Sequence, residues 1–370
     1  MKKAVFSVIN DVVTDNRIHK MAITLMDMGF DITIIGRKLK NSLPINRPYR
    51  VIRMKLLFNK KVFFYAAFNI RLFFKLLFIK TDILVSNDLD TLLPNYLISK
   101  IKKKPLVYDS HEFFTEVPEL VNRKIIRKVW LTIEKAIFPK LNNIITVNSS
   151  IAKEYKLRYN KDLVVVRNIS NKQKIDKIKS RQELELPIDK KIIVLQGAGI
   201  NINRGAEEMV TAMQYIENAV FLILGNGDVL PELKKIANNL KIKDKIFFFG
   251  KREYNEMMQF TMNCDLGITL DKLDNKNYLF SLPNKLFDYI QAGIPILSSP
   301  VVEVKNIIET YKIGEIVNSH KPEIIAETIN NIFNSKDKTN QWKENLKKAA
   351  IELCWENEKN IVINLYSVFL

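Results

Sequence analysis

The sequence predicts an α/β protein built from two doubly wound parallel-sheet domains. Three observations carry that expectation. The chain has 370 residues, more than one ordinary core uses. Short apolar runs alternate with amphipathic helical segments along its length. Those runs are apolar on both faces, as parallel strands are when helices cover a sheet on both sides. Hydrophobic residues make up 47% and charged residues 26%, a globular and not a disordered composition.

In the first half the strand-like runs are Val5–Ile9, Ile32–Ile35, Val51–Met54, Ile83–Val85, Leu106–Tyr108, Ile144–Val147 and Leu163–Val166. Helical patterns lie between them at Arg17–Met28, Leu89–Ile101, Arg123–Phe138 and Ile151–Tyr159. The second half repeats the scheme, with strands at Ile192–Leu195, Val220–Leu224, Ile246–Phe249, Leu266–Leu270, Ile294–Leu297 and Glu315–Val317. Its helices fall near Gly205–Tyr215, Leu230–Leu240, Tyr254–Met262, Pro283–Ala292, Val301–Tyr311 and Pro322–Phe333. Two such sets make two Rossmann-like domains. The polar, lysine-rich stretch Ser170–Lys191 marks the boundary, giving domains at 1–170 and 171–352. The chain turns helical again from Trp342, and a helix at about 353–370 is expected to dock back onto the first domain.

The N-terminal MKKAVFSVIN has two lysines, but its apolar run is broken by Asn10 and Asp11, so it reads as a buried strand and not a signal peptide. Cys264 and Cys354 lack any paired spacing, which argues against a disulfide framework or a zinc site and for the reducing cytoplasm. Charge is unevenly spread. Residues 1–170 hold 31 Lys and Arg against 14 Asp and Glu; the remainder holds 27 against 26. A compositional drift would act on both halves, so the first half is expected to face something anionic. Acidic phospholipid and nucleic acid both qualify, but no nucleic-acid recognition motif is present. The segment Leu56–Lys80 carries only basic charges and is nearly all apolar over Val62–Ile79. Arg71 and Lys75 argue against a spanning helix. Two readings stand: a core helix with Lys60, Lys61, Arg71 and Lys75 snorkelling outward, or a surface helix pressed on an anionic membrane.

The stretch SLPNKLFDYIQAGIP, Ser281–Pro295, reads as a loop, a helix and a strand entry: Pro283 presets the first turn, Gly293 suits the stop and Pro295 prevents continuation. Lys285 in that first turn opposes the helix dipole, a penalty of roughly 0.3–1 kcal/mol unless an anion intervenes. Asp288 follows three residues later on the same face. Arg204 repeats the oddity: it ends the loop GAGININRG before a helix opened by Gly205, with Gly197 and Gly199 letting backbone amides approach a ligand. A diphosphate held between the two cations accounts for both. Gly197, Gly199 and Gly205 do not form a dinucleotide fingerprint, Gly225-Asn226-Gly227 lacks a third glycine, and no P-loop is present.

In the first half, VYDSHE sets Asp109, His111 and Glu112 at the C-terminal end of a strand, where open sheets place ligands. His111 is the histidine suited to chemistry, orienting a hydroxyl or stabilising charge; His19 and His320 show no partner pattern. A packed histidine capping its own loop is the bland alternative. Asp88 and Asp90 follow another strand, as helix caps or as ligands of a divalent cation, with the cap favoured.

Together these residues resemble glycosyltransferase family 4 enzymes of the GT-B fold, over nearly the whole chain. PNKLFDYIQAGIP is similar to the family's donor-binding helix and turn, GAGININRG to its glycine loop, LILGNGD to a GxG turn, FFGK to the following strand end and VYDSHE to the strand bearing the active-site histidine. The resemblance implies that Arg204 and Lys285 hold the donor diphosphate, with Asn284 beside them in the motif, that Asp288 contacts ribose, and that Gly250 and Lys251 lie near the base. His111 would sit by the transferring sugar, with Asp15, Arg17, Asp88, Asp109 and Glu112 on the acceptor side. It further implies a retaining, metal-free transfer from a nucleoside-diphosphate sugar, UDP- or GDP-linked, with no other cofactor. The acceptor would be a surface glycan, often lipid-linked, met by a cytoplasmic enzyme peripheral on the inner membrane face. The chain departs from the pattern in places. Phe280 stands where a family carboxylate belongs, leaving donor hydroxyls to Asn277, Ser281 or main chain; NDVVTDNRIHK replaces the usual glycine pair after the first strand, with Asp15 and Arg17 as substitutes; and a further family arginine has no equivalent. Rival readings are a nucleotide-sugar epimerase of the same fold, a metal-dependent transferase using Asp88 and Asp90, and a non-enzymatic binder of anionic membrane or nucleic acid.

Overall fold

Apolar runs fully covered by helices become the centres of two parallel sheets. In a computed structural model describing residues 1–56, 58, 61–173, 175 and 177–370, the chain divides into two compact units. One comprises Met1–Asn168 and Glu358–Leu370, the other Ile169–Asn357. Of the linker expected at Ser170–Lys191, Lys174 and Asp176 lie outside the described residues.

The first unit runs β1 (Lys3–Ser7), α1 (Asn16–Asp27), β2 (Asp31–Lys38), β3 (Arg50–Lys55), α2 (Lys61–Phe78), β4 (Ile83–Asn87), α3 (Leu89–Lys102), β5 (Leu106–Ser110), α4 (Pro118–Val121), α5 (Lys124–Ile137), β6 (Asn143–Thr146), α6 (Ser149–Tyr159) and β7 (Val164–Val165). Its seven strands are parallel in the order β3-β2-β1-β4-β5-β6-β7. Every residue of β4 and β5 is buried, which is why they read as unbroken apolar runs. α1 buries Ile18, Met21, Ala22 and Leu25 at helical spacing and is capped by Asp15, whose carboxylate accepts from the Ile18 amide at 3.0 Å.

The second unit runs β8 (Lys191–Gly197), α7 (Ala206–Ala212), β9 (Ala219–Gly225), α8 (Leu230–Asn239), β10 (Ile246–Gly250), α9 (Tyr254–Met262), β11 (Leu266–Thr269), α10 (Lys276–Leu279), α11 (Asn284–Ala292), β12 (Ile296–Ser298), α12 (Val302–Tyr311), β13 (Gly314–Ile316), α13 (Pro322–Asn334) and α14 (Lys336–Glu352). Its parallel order is β10-β9-β8-β11-β12-β13. A last helix, α15 (Trp355–Ser367), begins in the second unit and continues in the first, where Glu358 pairs with Arg167 at 2.6 Å and Tyr366 meets Phe30 edge to face.

In both sheets the strand order reverses beside the first strand, between β1 and β4 and between β8 and β11. Loops leaving neighbouring strands at such a point diverge to opposite faces and open a crevice at the carboxyl ends.

The segment Leu56–Lys80 folds as α2, with one stripe (Phe64, Phe68, Leu72, Leu76) in the core and Arg71 and Lys75 exposed. Lys60 and the side chain of Lys61 lie outside the described residues. No helix among the described residues is long and apolar enough to cross a membrane.

Candidate active site

The crevice at β8 and β11 receives two loops. The one after β8 carries Arg204 near its end, and the one after β11 carries Asp271 near its start. Arg204 Nη1 donates to Asp271 Oδ1 at 3.0 Å, and the guanidinium lies over the Tyr278 ring, 4.4 Å from its centroid. Asp271 is fully buried; its second oxygen accepts from Thr269 Oγ1 at 3.3 Å, and its main-chain oxygen accepts from Ser299 Oγ at 2.6 Å. Lys285 enters the same cluster from the first turn of α11. Burial pushes its ammonium below the ordinary lysine value, while Asp271 pulls it up and Arg204 presses it down. Arg204 is ion-paired to Asp271, and Lys285 lies within electrostatic reach of both, so the neighbourhood carries more positive than negative charge. Arg204 Nε and Ser281 Oγ are buried without a hydrogen-bond partner among the described residues. Pro283 stands at the capping position before α11, with no side chain capping the helix's first amides. Uncompensated positive charge beside unpaired donors is the chemistry that suits an anion.

The glycine loop is braced from behind. The Asn226 amide donates to the Gly197 carbonyl, and the Ile200 amide donates to the Asn226 carbonyl at 3.0 Å. A Cβ on Gly225 would stand 1.8 Å from the Gly197 oxygen, and one on Gly227 1.9 Å from the Ile200 oxygen. Gly225 and Gly227 thus serve close contact between two loops. Gly197 and Gly199 have nothing within 3.7 Å of an added Cβ, the nearest atoms being 3.9 and 3.8 Å away. Gly205 caps α7 at φ 74° and is packed on Leu270, which sets the adjoining Arg204 over the cluster.

Asp288 is turned into the unit. Its Oδ1 accepts from Ser170 Oγ at 2.6 Å and Tyr254 OH at 2.9 Å, and its Oδ2 accepts from Gln196 Nε2 at 2.9 Å. It fixes α11 against β8 and α9, whereas Lys285 one turn earlier feels the Asp271 charge. Gly250 ends β10 in the left-handed region with open space around it, and Lys251 and Asn284 are exposed.

In the first unit the ends of β4 and β5 lie side by side, Asn87 opposite Asp109. Asp88 occupies the position before α3 at φ 60°, ψ 169°, a conformation that costs a side-chain-bearing residue about 1–3 kcal/mol. Its side chain makes no cap, which corrects the favoured reading. Instead Oδ1 accepts from the His111 amide at 2.8 Å and Oδ2 lies 3.4 Å from His111 Nδ1. His111 Nε2 stands 3.4 Å from Asp109 Oδ2. Burial works against the imidazolium, but Asp88 and Asp109 outweigh it and raise the His111 pKa to about 9. Burial would likewise raise the Asp109 carboxyl, yet Arg17 and His111 hold it well below the usual carboxylate range. Arg17 grips Asp109 with Nη2 at 2.7 Å and Nε at 3.0 Å and sends Nη1 to the Val166 carbonyl at 2.7 Å. Arg17 is buried beneath the site and supports Asp109 from within, while Asp15, half-buried, caps α1. Asp90 is buried too; burial, Asp88 and Glu112 push its carboxyl well above the usual range. Among the described residues no three His, Cys, Asp or Glu side chains group to hold a metal ion.

Residues 15–171 match the family described as Glycosyltransferase Family 4, and residues 176–349 the one described as Glycosyl transferases group 1. The chain is a glycosyltransferase of the family 4 type. Solved structures share its fold end to end. Sucrose-phosphate synthase from Thermosynechococcus elongatus aligns with a TM-score of 0.79 at 15% identity, covering 100% of this chain and 98% of the other. HepE from Anabaena, in complex with UDP-glucose, gives 0.77 at 13% identity with 100% of both chains covered. WaaG, a glycosyltransferase involved in lipopolysaccharide biosynthesis, gives 0.74 at 14%, covering 97% and 99%. No curated protein matches the chain in sequence.

In this glycosyltransferase Arg204 pairs with Asp271 within electrostatic reach of Lys285 in one unit, while Asp88, Asp109 and His111 meet above Arg17 in the other. Sequence reasoning missed Asp271 and Tyr278. A carboxylate directly after the apolar run LGITL carries the same signal as Asp109 after LVY, and could have been found by it. Nothing local marks Ser170 as a partner of Asp288. Two histidines set aside for lack of partners do have them: His19 Nδ1 lies 3.0 Å from Tyr49 OH, and His320 Nε2 lies 3.0 Å from the Leu270 oxygen.

Proposed function

We propose that this glycosyltransferase moves a sugar, with retention of configuration and without a metal, from a UDP- or GDP-linked donor to a hydroxyl of a surface-glycan acceptor carried on lipid. It would work as a cytoplasmic enzyme peripheral on the inner face of the cell membrane. The cluster of Arg204, Lys285 and Asp271 carries the reading. The bond from the anomeric carbon to the diphosphate oxygen breaks, the acceptor oxygen bonds to the same face of that carbon, and the acceptor proton passes to the departing diphosphate. Negative charge grows on the diphosphate as it leaves, and Arg204 and Lys285 stabilise it with little reorganisation. Arg204 Nε has hydrogen-bonding capacity to spare for a phosphate oxygen. His111, protonated below about pH 9, acts as a fixed positive charge and donor, not as a base. A UDP-glucose complex of a protein with this fold favours the UDP branch.

The test is a donor screen by isothermal titration with UDP- and GDP-sugars, followed by turnover of Arg204→Ala and Lys285→Ala on the donor that binds. Each variant should lose about 10²–10³ in kcat, as lost transition-state donors do, with circular dichroism unchanged. Near-normal turnover in both overturns the reading, and loss of activity on adding a chelator overturns its metal-free part.

A further inference from the structure

A water-facing helix ordinarily turns one apolar stripe inward and a polar stripe outward. Three neighbouring helices of the first unit break that rule together. α2 buries Phe64, Phe68, Leu72 and Leu76, yet its outer side carries Phe63, Ala66, Ile70, Phe74 and Phe78, also at helical spacing. Phe63 is 71% exposed and Phe78 82%. α3 shows Leu93, Leu97 and Ile101, one every four residues, and α5 shows Ile125, 82% exposed, and Val129. The three are contiguous. Asn69 of α2 donates to the Asp90 carbonyl of α3 at 2.9 Å, Tyr65 of α2 meets Trp130 of α5 edge to face, and α3 packs on α5.

The charges on this face are of one sign. α2 has no acidic residue, and the acidic residues of α3 and α5, Asp90 and Glu134, are both buried. What remains exposed among the apolar stripes is Arg71, Lys75, Lys100, Lys124 and Lys128. Beyond the ends of α2 and α3 a depression of about 500 Å³ opens beside Phe78, lined by Lys3, Lys80, Lys102 and Lys104 with Asp82 as the acidic member, paired to Lys104 at 3.0 Å.

We infer that this three-helix face is a membrane-docking surface for anionic phospholipid, with α2 and α3 lying flat at the headgroup level. Apolar stripes enter the acyl boundary, flanking cations meet headgroup phosphates, and the lysine-lined depression accommodates further headgroups. A second copy of the chain would set two positive faces against each other, so the charge selects lipid over self-association. The inference stands on the first unit alone and not on the transfer reaction.

The experiment sediments full-length protein with vesicles of phosphatidylcholine, or of phosphatidylcholine and phosphatidylglycerol in equal parts. The expected result is binding to the mixed vesicles that high salt weakens, with at least ~tenfold weaker binding to the neutral ones. Phe74→Glu/Phe78→Glu and Lys75→Glu/Lys80→Glu should each cut the partition coefficient about tenfold or more, whereas Ile351→Glu, an exposed position of the second unit, leaves it unchanged. UDP titration of the same variants is read separately, so failure of donor binding and failure of docking are distinguishable. Absent or composition-independent vesicle binding overturns the inference. So does a lipid-free dimer that Phe74→Glu/Phe78→Glu dissociates, or RNA binding lost on charge reversal while vesicle binding persists.

Discussion

His111 holds its proton because Asp88 and Asp109 flank it, and that makes its titration a direct report on the first unit's site. A histidine whose folded pKa lies near 9, above its ordinary 6.5, adds stability that is complete below pH 6.5 and is lost as pH rises through 9. The imidazole carbon-bound proton should therefore titrate with a midpoint near 9 by NMR, and Asp88→Asn should bring it down toward the ordinary value. A wild-type midpoint at 6.5 refutes the coupling. Asp271 calls for a different measurement. It orients Arg204 yet also offsets its charge, so Asp271→Asn should leave UDP affinity intact or tighter while kcat falls ~10-fold or more through lost alignment. Parallel loss of both would mean the unit had merely loosened. At this scale the sequence is half legible. A cation at a helix start is locally anomalous and marks Arg204 and Lys285, whereas the carboxylate that pairs with Arg204 comes from a loop 67 residues further on. The direction in which Asp88 points depends on a backbone conformation that propensity does not foresee.

The braced glycine loop shows what an element asks of its residues. Gly225→Ala puts a methyl on the Gly197 carbonyl, at a φ of 140° that resists side chains, and Gly227→Ala puts one on the Ile200 carbonyl. Each should lower unfolding free energy by about 1–3 kcal/mol in urea titrations and weaken UDP binding by shifting the loop that carries Arg204. Gly199→Ala meets nothing closer than 3.8 Å, so a drop in UDP affinity with unchanged urea midpoint would mark a ligand contact. Unchanged stability in Gly225→Ala would count against the bracing. The sheet strands themselves are legible throughout, since being covered on both faces leaves a run such as Ile83–Asn87 no polar alternation to blur it. The short helices are not: α4 and α10 span four residues each, too few for a periodic signal.

At the scale of the whole molecule, the chain's two crossings are held by specific contacts. Glu358 is buried and accepts from the Arg167 amide at 2.6 Å as well as from its guanidinium. Arg167 is 31% exposed, so removing Glu358 costs about 1–3 kcal/mol, and Glu358→Ala should speed amide hydrogen exchange across the first unit while leaving β8–β13 protected. Uniform exchange in both units would show that α15 is not a fixed part of the first. The uneven charge is legible from counting alone. Its gathering onto one face is not, because that depends on which stripe of each helix the core claims.

The return of α15 also has a consequence for biosynthesis. β1 and Phe30 leave the ribosome well before the residues that complete their unit, Glu358–Leu370, which emerge about 190 positions after its other segment ends. During all of that translation the N-terminal sheet lacks Tyr366 against Phe30 and Glu358 against Arg167. The first unit is therefore completed only after the second has been made, and until then it exposes apolar surface that α15 later covers.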